Sequence, residues 1–257
     1  MQKPLHPEAT RTQMITANLI FDIGLHTGRD ANFYLSKGFR VVGVEAREDL
    51  CNIARQANKE AVENGRLHIV QRALFERAGE TVTFYINDRK DDWGSLYRGA
   101  PEQDGSIARE IRVPSITLDE LFGRYGIPYY IKCDIEGGDA LFAEQLLQSK
   151  HRPSYVSIEA TSIDDLAKIR AAGYNSFQIV NQYLNPNTVA PNPSREGKYV
   201  DTRFTHEMSG LFGRDLPHER WADFRTTIKR LLDWYDLWER DRSLAIGWLD
   251  IHSRMDW

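Results

Sequence analysis

The sequence has 257 residues, with 33 Lys and Arg against 37 Asp and Glu and a formal net charge of −4 at pH 7. This mildly acidic balance gives no reason to expect nucleic acid or an anionic membrane surface as a partner. No run approaches the roughly 20 apolar residues that cross a bilayer, and the two cysteines, Cys51 and Cys133, fit reduced packing residues. We therefore expect a cytosolic protein without a membrane span.

Residues 1–12 are polar, with two prolines and no apolar core, so we do not expect a signal peptide. Residues 1–17 are predicted to be a leader with little structure of its own. An apolar strand follows over 19–23, Gly24 and Gly28 bracket a short turn, and a helix is predicted over 29–37. Gly24 has no Cβ to clash at unusual backbone angles. Gly28 allows a ligand or the next helix to approach closely. Because the first N–H groups of a helix are unpaired, strand, turn and helix start together predict a ligand cradle.

The turn has the spacing Asp-x-Gly-x-x-x-Gly, with Asp22 as its acid. This differs from the G-x-G-x-x-G of dinucleotide sites, whose backbone N–H groups hold a pyrophosphate. An acid in the cradle suits a ligand with positive charge, and S-adenosylmethionine carries a sulfonium and an ammonium. A second strand over 40–45 ends at Glu45, which is placed to accept hydrogen bonds from both ribose hydroxyls. The alternatives are a turn-stabilising role for Asp22 and a solvated strand end for Glu45.

The elements after Glu45 continue a βαβαβ pattern, which predicts parallel strands joined by right-handed crossovers. In chain order they are a helix over 48–63, a strand over 67–70 continuing into 71–75, strands over 81–86 and 107–114, and a helix over 117–125. The two strands on either side of the polar stretch 87–105 predict an antiparallel insertion at the sheet edge or over the ligand site. The last helix starts with capping-box spacing from Thr117 to Glu120.

The second half of the chain predicts strands over 129–134, 155–159 and 176–180 and helices over 139–148 and 162–173. Residues 183–218 are the longest irregular stretch, and loops of that length are usually functional or disordered. Apolar side chains then recur at helical spacing from Trp221 to Trp238, which indicates packing against the sheet or against a second subunit, as in a homodimer. Without repeats or a clear linker, we expect one domain over 1–257, in which 183–257 form a C-terminal loop and helix extension.

Four segments, residues 21–28, 44–46, 117–119 and 131–137, resemble the FkbM family of S-adenosylmethionine-dependent methyltransferases. The most family-specific is the Lys-x-Asp-x-Glu-Gly of the last segment. The resemblance implies an α/β fold of the Rossmann-like class I methyltransferase type, a mostly parallel seven-stranded sheet with helices on both faces and a reversed seventh strand. It also implies O-methylation of a hydroxyl on a sugar, glycolipid or secondary metabolite, and hence a small-molecule or glycan acceptor.

The candidate site residues fall in the cradle, at the ends of the predicted strands and in the inserted loop. The cofactor-binding candidates are Asp22, Gly24, His26, Gly28, Glu45, Ala46, Ala73, Leu74, Ser95, Asp134 and Glu136. A neutral alcohol is a poor nucleophile, so a group must accept its proton. The catalytic candidates are Asp134 first, His26 second, and Glu159. For Glu136 the alternative is a cap on the helix that follows it.

Several alternatives stay open at this point. Asp134 and Glu159, at adjacent strand ends, are oxygen ligands of the kind that Mg²⁺ takes, although two acids do not define a metal site. Lys132 either pairs with these acids or steers a substrate anion. His206 and His218 are either substrate contacts or solvated side chains. An NAD-type oxidoreductase would need a different glycine turn, and a non-catalytic scaffold domain would predict degraded cradle residues, whereas the cradle is intact at Asp22, Gly24, Gly28 and Glu45.

Overall fold

The computed structural model describes residues 14–90, 92–102, 105–159 and 162–255. In chain order, the strands and α-helices within these ranges are β1 (Ile15–Ile23), α1 (Arg29–Ser36), β2 (Arg40–Glu45), α2 (Glu48–Ala57), α3 (Lys59–Glu63), β3 (Leu67–Gln71), β4 (Ala73–Leu74), β5 (Thr81–Ile86), β6 (Arg109–Ile116), α4 (Leu118–Tyr125), β7 (Ile127–Cys133), α5 (Asp139–Gln148), β8 (Tyr155–Glu159), α6 (Ile163–Ala171), β9 (Ser176–Asn181), α7 (Phe224–Arg240) and β10 (Leu249–Arg254).

Seven of these strands form one sheet in the order β3-β2-β1-β7-β8-β10-β9. The pairs are parallel except that β10 runs antiparallel to both β8 and β9. Helices that link parallel strands must pack back onto the sheet, and right-handed crossovers distribute them over its two faces. The predicted mostly parallel, seven-stranded α/β sheet with a reversed strand is confirmed.

The reversed strand β10 corrects the sequence analysis, which assigned all of 183–257 to a loop and helix extension. Five of its six residues are buried, including Asp250 and His252. Because helices or loops cover both faces of this strand, it lacks the strict apolar-polar alternation that marks a half-exposed strand. For this reason the sequence pattern did not predict this strand.

Two boundaries at the N-terminal side also differ from the prediction. β1 begins at Ile15, so the last three residues of the predicted leader belong to the strand, while residues 1–13 lie outside the described residues. The helix predicted over 48–63 breaks at Asn58, whose side-chain amide donates to the backbone oxygens of Gly28 at 3.2 Å and Ala54 at 3.1 Å. The break therefore lets Asn58 bind the glycine turn.

The predicted insertion is present as a small second sheet. β5 and β6 pair antiparallel, and the short β4 adds a third strand in the order β4-β6-β5. β6 covers Arg109–Ile116 instead of 107–114. Apolar side chains of this sheet, among them Val82 and Val113, form a cluster with Ala46 at the end of β2. The insertion is thus anchored beside the predicted cradle.

The two faces of the sheet carry separate apolar cores. In β1, Leu19, Phe21 and Ile23 belong to the core formed with α4, α5 and α6, whereas Ile20 belongs to the core formed with α1. Side chains of a strand alternate between faces. Asp22 therefore points towards α1, with Ile20, and this placement decides the surroundings of its carboxylate.

The C-terminal part of the chain covers both faces. Phe212 stacks on Tyr130 of β7 at 5.1 Å between ring centroids, on the α1 side of the sheet. Phe224 of α7 packs on Phe177 of β9 at 5.8 Å on the other side. Part of the predicted apolar stripe thus packs on the sheet, while Trp238 stays partly exposed. Within the described ranges, no helix combines the length and the apolar character that crossing a membrane requires.

Candidate functional site

A cavity of about 730 Å³ lies at the carboxyl ends of β1, β2, β7 and β8. In α/β sheets, ligands bind at this edge of the parallel strands. The inserted sheet contributes Phe84 and the loop 92–96 to the cavity wall, and the C-terminal part contributes 206–209, Trp248 and Asp250. The cavity is therefore enclosed between the cradle, the insertion and the C-terminal segments.

Close backbone contacts hold the glycine turn at the base of the cavity. Gly24 has a φ of 87°, and a Cβ on it would lie 1.9 Å from the backbone oxygen of Asp134. Its N–H donates to the Val44 oxygen at 2.9 Å, so the turn joins β2 to β7. Gly28 has a φ of 80°, and a Cβ there would lie 2.8 Å from the Asn58 amide nitrogen. The lack of a side chain at Gly28 thus allows α2 and Asn58 to pack closely on the turn, and Gly28 does not line the cavity.

The carboxylate of Glu45 is fixed at the end of β2. The backbone N–H groups of His26 and Arg47 each donate to one of its oxygens at 2.9 Å. Burial raises the pKa of Glu45, and these two hydrogen bonds oppose the rise. A carboxylate oxygen has two lone pairs, so both oxygens retain capacity to accept from a ligand. His26, with a φ of 51°, also lines the cavity.

An apolar wall adjoins Glu45. Ala46 follows it directly, and Ala73 and Leu74 of β4 line the same cavity with Leu50 and Phe84. Ala46, Ala73, Leu74 and Leu50 are buried. A flat ring bound there would have its faces covered by apolar side chains. The structure thus brings together the three apolar cofactor candidates that the sequence analysis named.

Asp22, expected to contact the cofactor, does not line the cavity and is fully buried behind it. It lies opposite Lys132 in the register of β1 and β7. The Lys132 Nζ is 3.4 Å from Asp22, 3.3 Å from Asp30 and 3.3 Å from Asp134. Burial raises the pKa of Asp22 to about 7, and the Lys132 charge opposes the rise. Of the two alternatives for Lys132, the structure thus shows the pairing with acids, and this lysine lies between the buried Asp22 and the cavity residue Asp134.

Carboxyl groups gather where β7 and β8 end and the antiparallel β10 begins. Asp134, Glu136, Glu159 and Asp250 all line the cavity, and Asp250 is paired with Glu159 in the strand register. Burial, reinforced by the neighbouring Glu159 and Asp134, raises the pKa of Glu136 to about 8. Burial and Asp134 raise the pKa of Glu159 to about 7. Glu136 makes no cap, because Gly138 occupies the cap position of α5 without a side-chain bond.

Ser95 fastens the inserted loop over the cavity. Its hydroxyl donates to the backbone oxygen of Glu136 at 2.5 Å and accepts from the N–H of Tyr97 at 3.0 Å. Its backbone pairs with Tyr85 of β5 in both directions, at 2.8 and 2.9 Å. Ser95 is buried. The candidate from the sequence therefore lines the cavity and also connects the insertion to the end of β7.

The C-terminal part supplies cavity residues that the sequence analysis missed. The Gln182 amide donates to Asp250, and both side chains line the cavity with Trp248. Asp250 was missed because β10, which carries it, was not predicted. Gln182 and Trp248 flank strands β9 and β10, and no local sequence pattern marks them as cavity residues. Of the two histidines weighed for substrate contact, His206 lines the cavity and His218 lies in a separate cleft.

The charge of the cavity suits a cationic cofactor. Its described lining contains eight Asp and Glu side chains against four Lys and Arg. Carboxylates favour a sulfonium or ammonium group by direct attraction. Among the described residues, no group of three or more His, Cys, Asp or Glu side chains is arranged to hold a metal ion. The excess of carboxyl groups in the lining fits the sulfonium and ammonium charges of S-adenosylmethionine.

The strand order, the antiparallel β10 and an acid at the end of β2 beside an acidic cavity define the class I methyltransferase fold. The family model described as methyltransferase FkbM domain matches residues 22–195. The chain belongs to the FkbM methyltransferase family. It is an S-adenosylmethionine-dependent methyltransferase, as its resemblance in the sequence implied.

Solved structures with overall similarity to the chain include other methyltransferases. The C-terminal domain of precorrin-6Y C5,15-methyltransferase from Rhodobacter capsulatus is 14% identical, covers 66% of this chain and 68% of its own, and gives a TM-score of 0.37. Magnesium protoporphyrin IX methyltransferase from Synechocystis PCC 6803 with bound SAM is 12% identical, the match covers 64% of this chain and 63% of that one, and the TM-score is 0.37. StiE O-MT residues 961–1257 are 10% identical, the match covers 93% of this chain and 68% of that one, and the TM-score is 0.42. No curated protein sequence matches the chain.

Proposed function

We propose that this methyltransferase transfers the methyl group to a hydroxyl oxygen, on a sugar, glycolipid or secondary-metabolite acceptor. The observation that carries the proposal is Glu159, a half-buried carboxyl group in the cavity wall whose pKa is raised to about 7. When bound, S-adenosylmethionine supplies an activated methyl group on its sulfonium. The protein's own tasks are then to align the acceptor and to remove the hydroxyl proton.

We assign cofactor binding to residues on the cradle side of the cavity. The free lone pairs of Glu45 suit the ribose hydroxyls. Ala46, Ala73 and Leu74 form the wall for the adenine ring. Asp134 suits the cationic end, because Lys132 holds one of its oxygens at 3.3 Å while the side chain remains 53% exposed.

We assign the role of base to Glu159 in preference to Asp134 and His26. A general base works best when its pKa lies near the working pH. The pKa of Glu159 is raised to about 7, chiefly by burial. Asp134 is instead engaged by Lys132, whose Nζ lies 3.3 Å from its carboxylate, and we assign it to the cationic end of the cofactor. All three side chains line the cavity, so geometry admits each of them.

We assign the acceptor to the side of the cavity formed by the C-terminal part. His206 and Trp248 line it there, and Tyr183 stacks on His206 at 5.2 Å between ring centroids. Tyr183 is 46% and Trp248 40% exposed. Aromatic rings that keep an open face pack well on the apolar faces of sugars and of other rings. These side chains support an acceptor with a ring next to the methylated hydroxyl.

The test is turnover of two variants on an acceptor found by screening hydroxylated glycosides and metabolites for S-adenosylhomocysteine release. Replacing Glu159 by glutamine should lower kcat by about 10²- to 10⁴-fold, the usual contribution of a general base. In the unmodified enzyme, kcat/KM should rise as pH passes about 7, where Glu159 ionises, and this limb should vanish in the variant. Trp248→Ala should instead raise KM for the acceptor with a smaller effect on kcat.

Unchanged turnover in Glu159→Gln would refute its role as base, and the same measurements on Asp134→Asn would then decide for or against Asp134. A product methylated on nitrogen or carbon would refute the O-methyltransferase proposal. A cytosolic location, a single domain and a homodimer stay predictions, and analytical ultracentrifugation would test the last.

Cofactor binding is expected to release protons. Glu136 and Glu159, with pKa values raised to about 8 and about 7, hold protons near pH 6 that a bound cation displaces. S-adenosylmethionine carries one positive charge more than S-adenosylhomocysteine. The ratio of their affinities should therefore shift towards S-adenosylmethionine by about tenfold between pH 6 and pH 8.5.

Isothermal titration in two buffers of different ionisation enthalpy measures this proton release directly. The Glu136→Gln variant should release fewer protons and show a flatter affinity ratio. A ratio that does not change with pH would show that these carboxyl groups do not face the sulfonium. Both ligands share the same amino and carboxyl groups, so titration of the ligand itself largely cancels in the ratio.

A further inference from the structure

A second cleft, of about 410 Å³, lies at the ends of β8 and β10 that are opposite to the cofactor cavity. β8 and β10 run between the two sites. Asp250 and Glu159 are paired at the cofactor end, and Arg254 and Tyr155 are paired four residues further along, which is roughly 13 Å at about 3.3 Å per residue. The described residues that line the cleft are Tyr155, Arg195, Arg214, Leu216, His218, Trp221 and Arg254.

Three arginines meet in this cleft, two from the irregular stretch between β9 and α7 and one from the end of β10. The Arg254 guanidinium lies over the Trp221 ring at 4.6 Å, and its Nε donates to the Ser176 hydroxyl at 3.2 Å. The Arg214 Nε donates to Glu196 at 3.1 Å, although the side chain remains 65% exposed. In the described part of the chain, Arg195 has no ion-pair partner. Two of the guanidinium groups are thus held in place before any ligand binds.

A buried ion pair with α1 holds the loop that carries Arg195 and Arg214 in place. Lys37 at the end of α1 lies 2.7 Å from Asp215, and both side chains are 1% exposed. Asp215 also accepts from the backbone N–H of Arg195 at 2.6 Å. The loop is therefore a rigid support, since breaking this pair would leave a buried charge without its partner.

The cleft has an excess of positive charge in a chain of net charge −4. Its described lining includes three arginines and a histidine and no Asp or Glu side chain. Glu196, which is buried beside the cleft, pairs with Arg214. Bringing like charges together costs free energy that an anion bound between them would recover.

We propose that this cleft binds a small organic phosphate. Guanidinium groups match the geometry of phosphate oxygens with paired N–H donors. The volume lies in the range of small-molecule sites, and Tyr155 and Leu216 offer apolar surface for a carbon skeleton. Because the whole length of β8 separates the cleft from Glu159, the ligand is not the methyl acceptor but an effector or an additional bound group.

The experiment is titration of the full chain with pyrophosphate by calorimetry, with sodium chloride holding the ionic strength constant. Replacing Arg195 or Arg254 by glutamine should weaken binding about tenfold each, since a hydrogen bond to a charged group is worth at least that factor. Arg240→Gln is the matched control, because Arg240 is exposed at the far end of the seventeen-residue α7, and it should bind as the unmodified protein does.

The Arg195→Gln variant should keep the thermal unfolding midpoint of the parent, because its side chain is exposed. It therefore keeps the test valid if Arg254→Gln fails to fold. Absence of pyrophosphate binding, or equal weakening by Arg240→Gln, would overturn the proposal. Binding to phosphatidylglycerol vesicles without binding to pyrophosphate would also overturn it, and would point to a membrane surface instead. Neither result depends on methyltransferase activity.

Discussion

Replacing Lys132 by methionine is expected to lower the free energy of unfolding by about 3–5 kcal/mol, the cost of leaving buried charges without their partner. Lys132 is 5% exposed and lies within 3.4 Å of Asp22 and Asp30, which are 0% and 6% exposed. No other cation within the described residues is paired with these two acids. Urea unfolding followed by circular dichroism measures the loss.

The loss should grow as pH rises from 6 to 8.5. Without Lys132, nothing opposes the effect of burial on Asp22, whose pKa burial already raises to about 7, so the folded state keeps a proton on this carboxyl group to higher pH. The unfolded chain releases that proton near pH 4. The folded state therefore binds more protons than the unfolded state across this range, and the free energy of unfolding falls with increasing pH.

The control for this experiment is Lys59→Met, because Lys59 pairs with Glu63 at 3.7 Å while 71% exposed. A pair of that kind is worth less than about 1 kcal/mol. Adding Asp22→Asn to Lys132→Met should recover part of the lost stability. If Lys132→Met costs no more than Lys59→Met, the cluster does not hold β1, α1 and β7 together.

Replacing Gly24 by alanine is expected to cost about 3 kcal/mol or more of folding stability and to weaken S-adenosylhomocysteine binding at least tenfold. Two effects add. A side chain at a φ of 87° is strained by about 1–2 kcal/mol. The new Cβ would also lie 1.9 Å from the Asp134 backbone oxygen, and relieving such overpacking costs about 1–3 kcal/mol. The relief must move the turn away from β7, which displaces the backbone that carries Glu45's donor His26.

Gly65→Ala separates the two effects. Gly65 has a φ of 73°, and a Cβ there meets nothing within 4 Å. It should therefore show the backbone strain alone and leave cofactor binding unchanged. Denaturant unfolding and calorimetric titration of both variants give the comparison. Equal losses for Gly24→Ala and Gly65→Ala would mean that the contact with Asp134 is unimportant.

The sequence predicted the elements that have strong local signals. The glycine turn, the acid at the end of β2 and the N-cap at Thr117, whose hydroxyl accepts from the Glu120 N–H at 3.2 Å, all appear as expected. The second bond of the capping box is not formed, because the Glu120 side chain pairs with Arg124 instead. Each depends on residues close together in the chain, so propensity and spacing were sufficient. The family resemblance added the seven-stranded sheet with its reversed strand and the cofactor, which local patterns alone could not provide.

For two cradle residues, the structure shows surroundings that the sequence did not predict. Asp22 and Gly28 were expected at the cofactor, but strand alternation turns Asp22 towards α1 and Gly28 serves the packing of Asn58. An aspartate after a strand and a glycine in a turn look the same in the sequence whether they contact a ligand or pack against the protein. Only the neighbours in space, Lys132 and Asn58, distinguish the two.

By itself the sequence determined the chain's α/β class, the cradle between β1 and α1 and the acidic character of the strand ends, because these follow from residue type and short spacing. The tertiary structure alone decided which acids share a cavity, since Asp250 reaches Glu159 only through the antiparallel pairing of β10 with β8. It also decided the raised pKa of Glu159, which arises mainly from burial. Burial depends on every segment that packs around a side chain, and no short stretch of sequence contains that information.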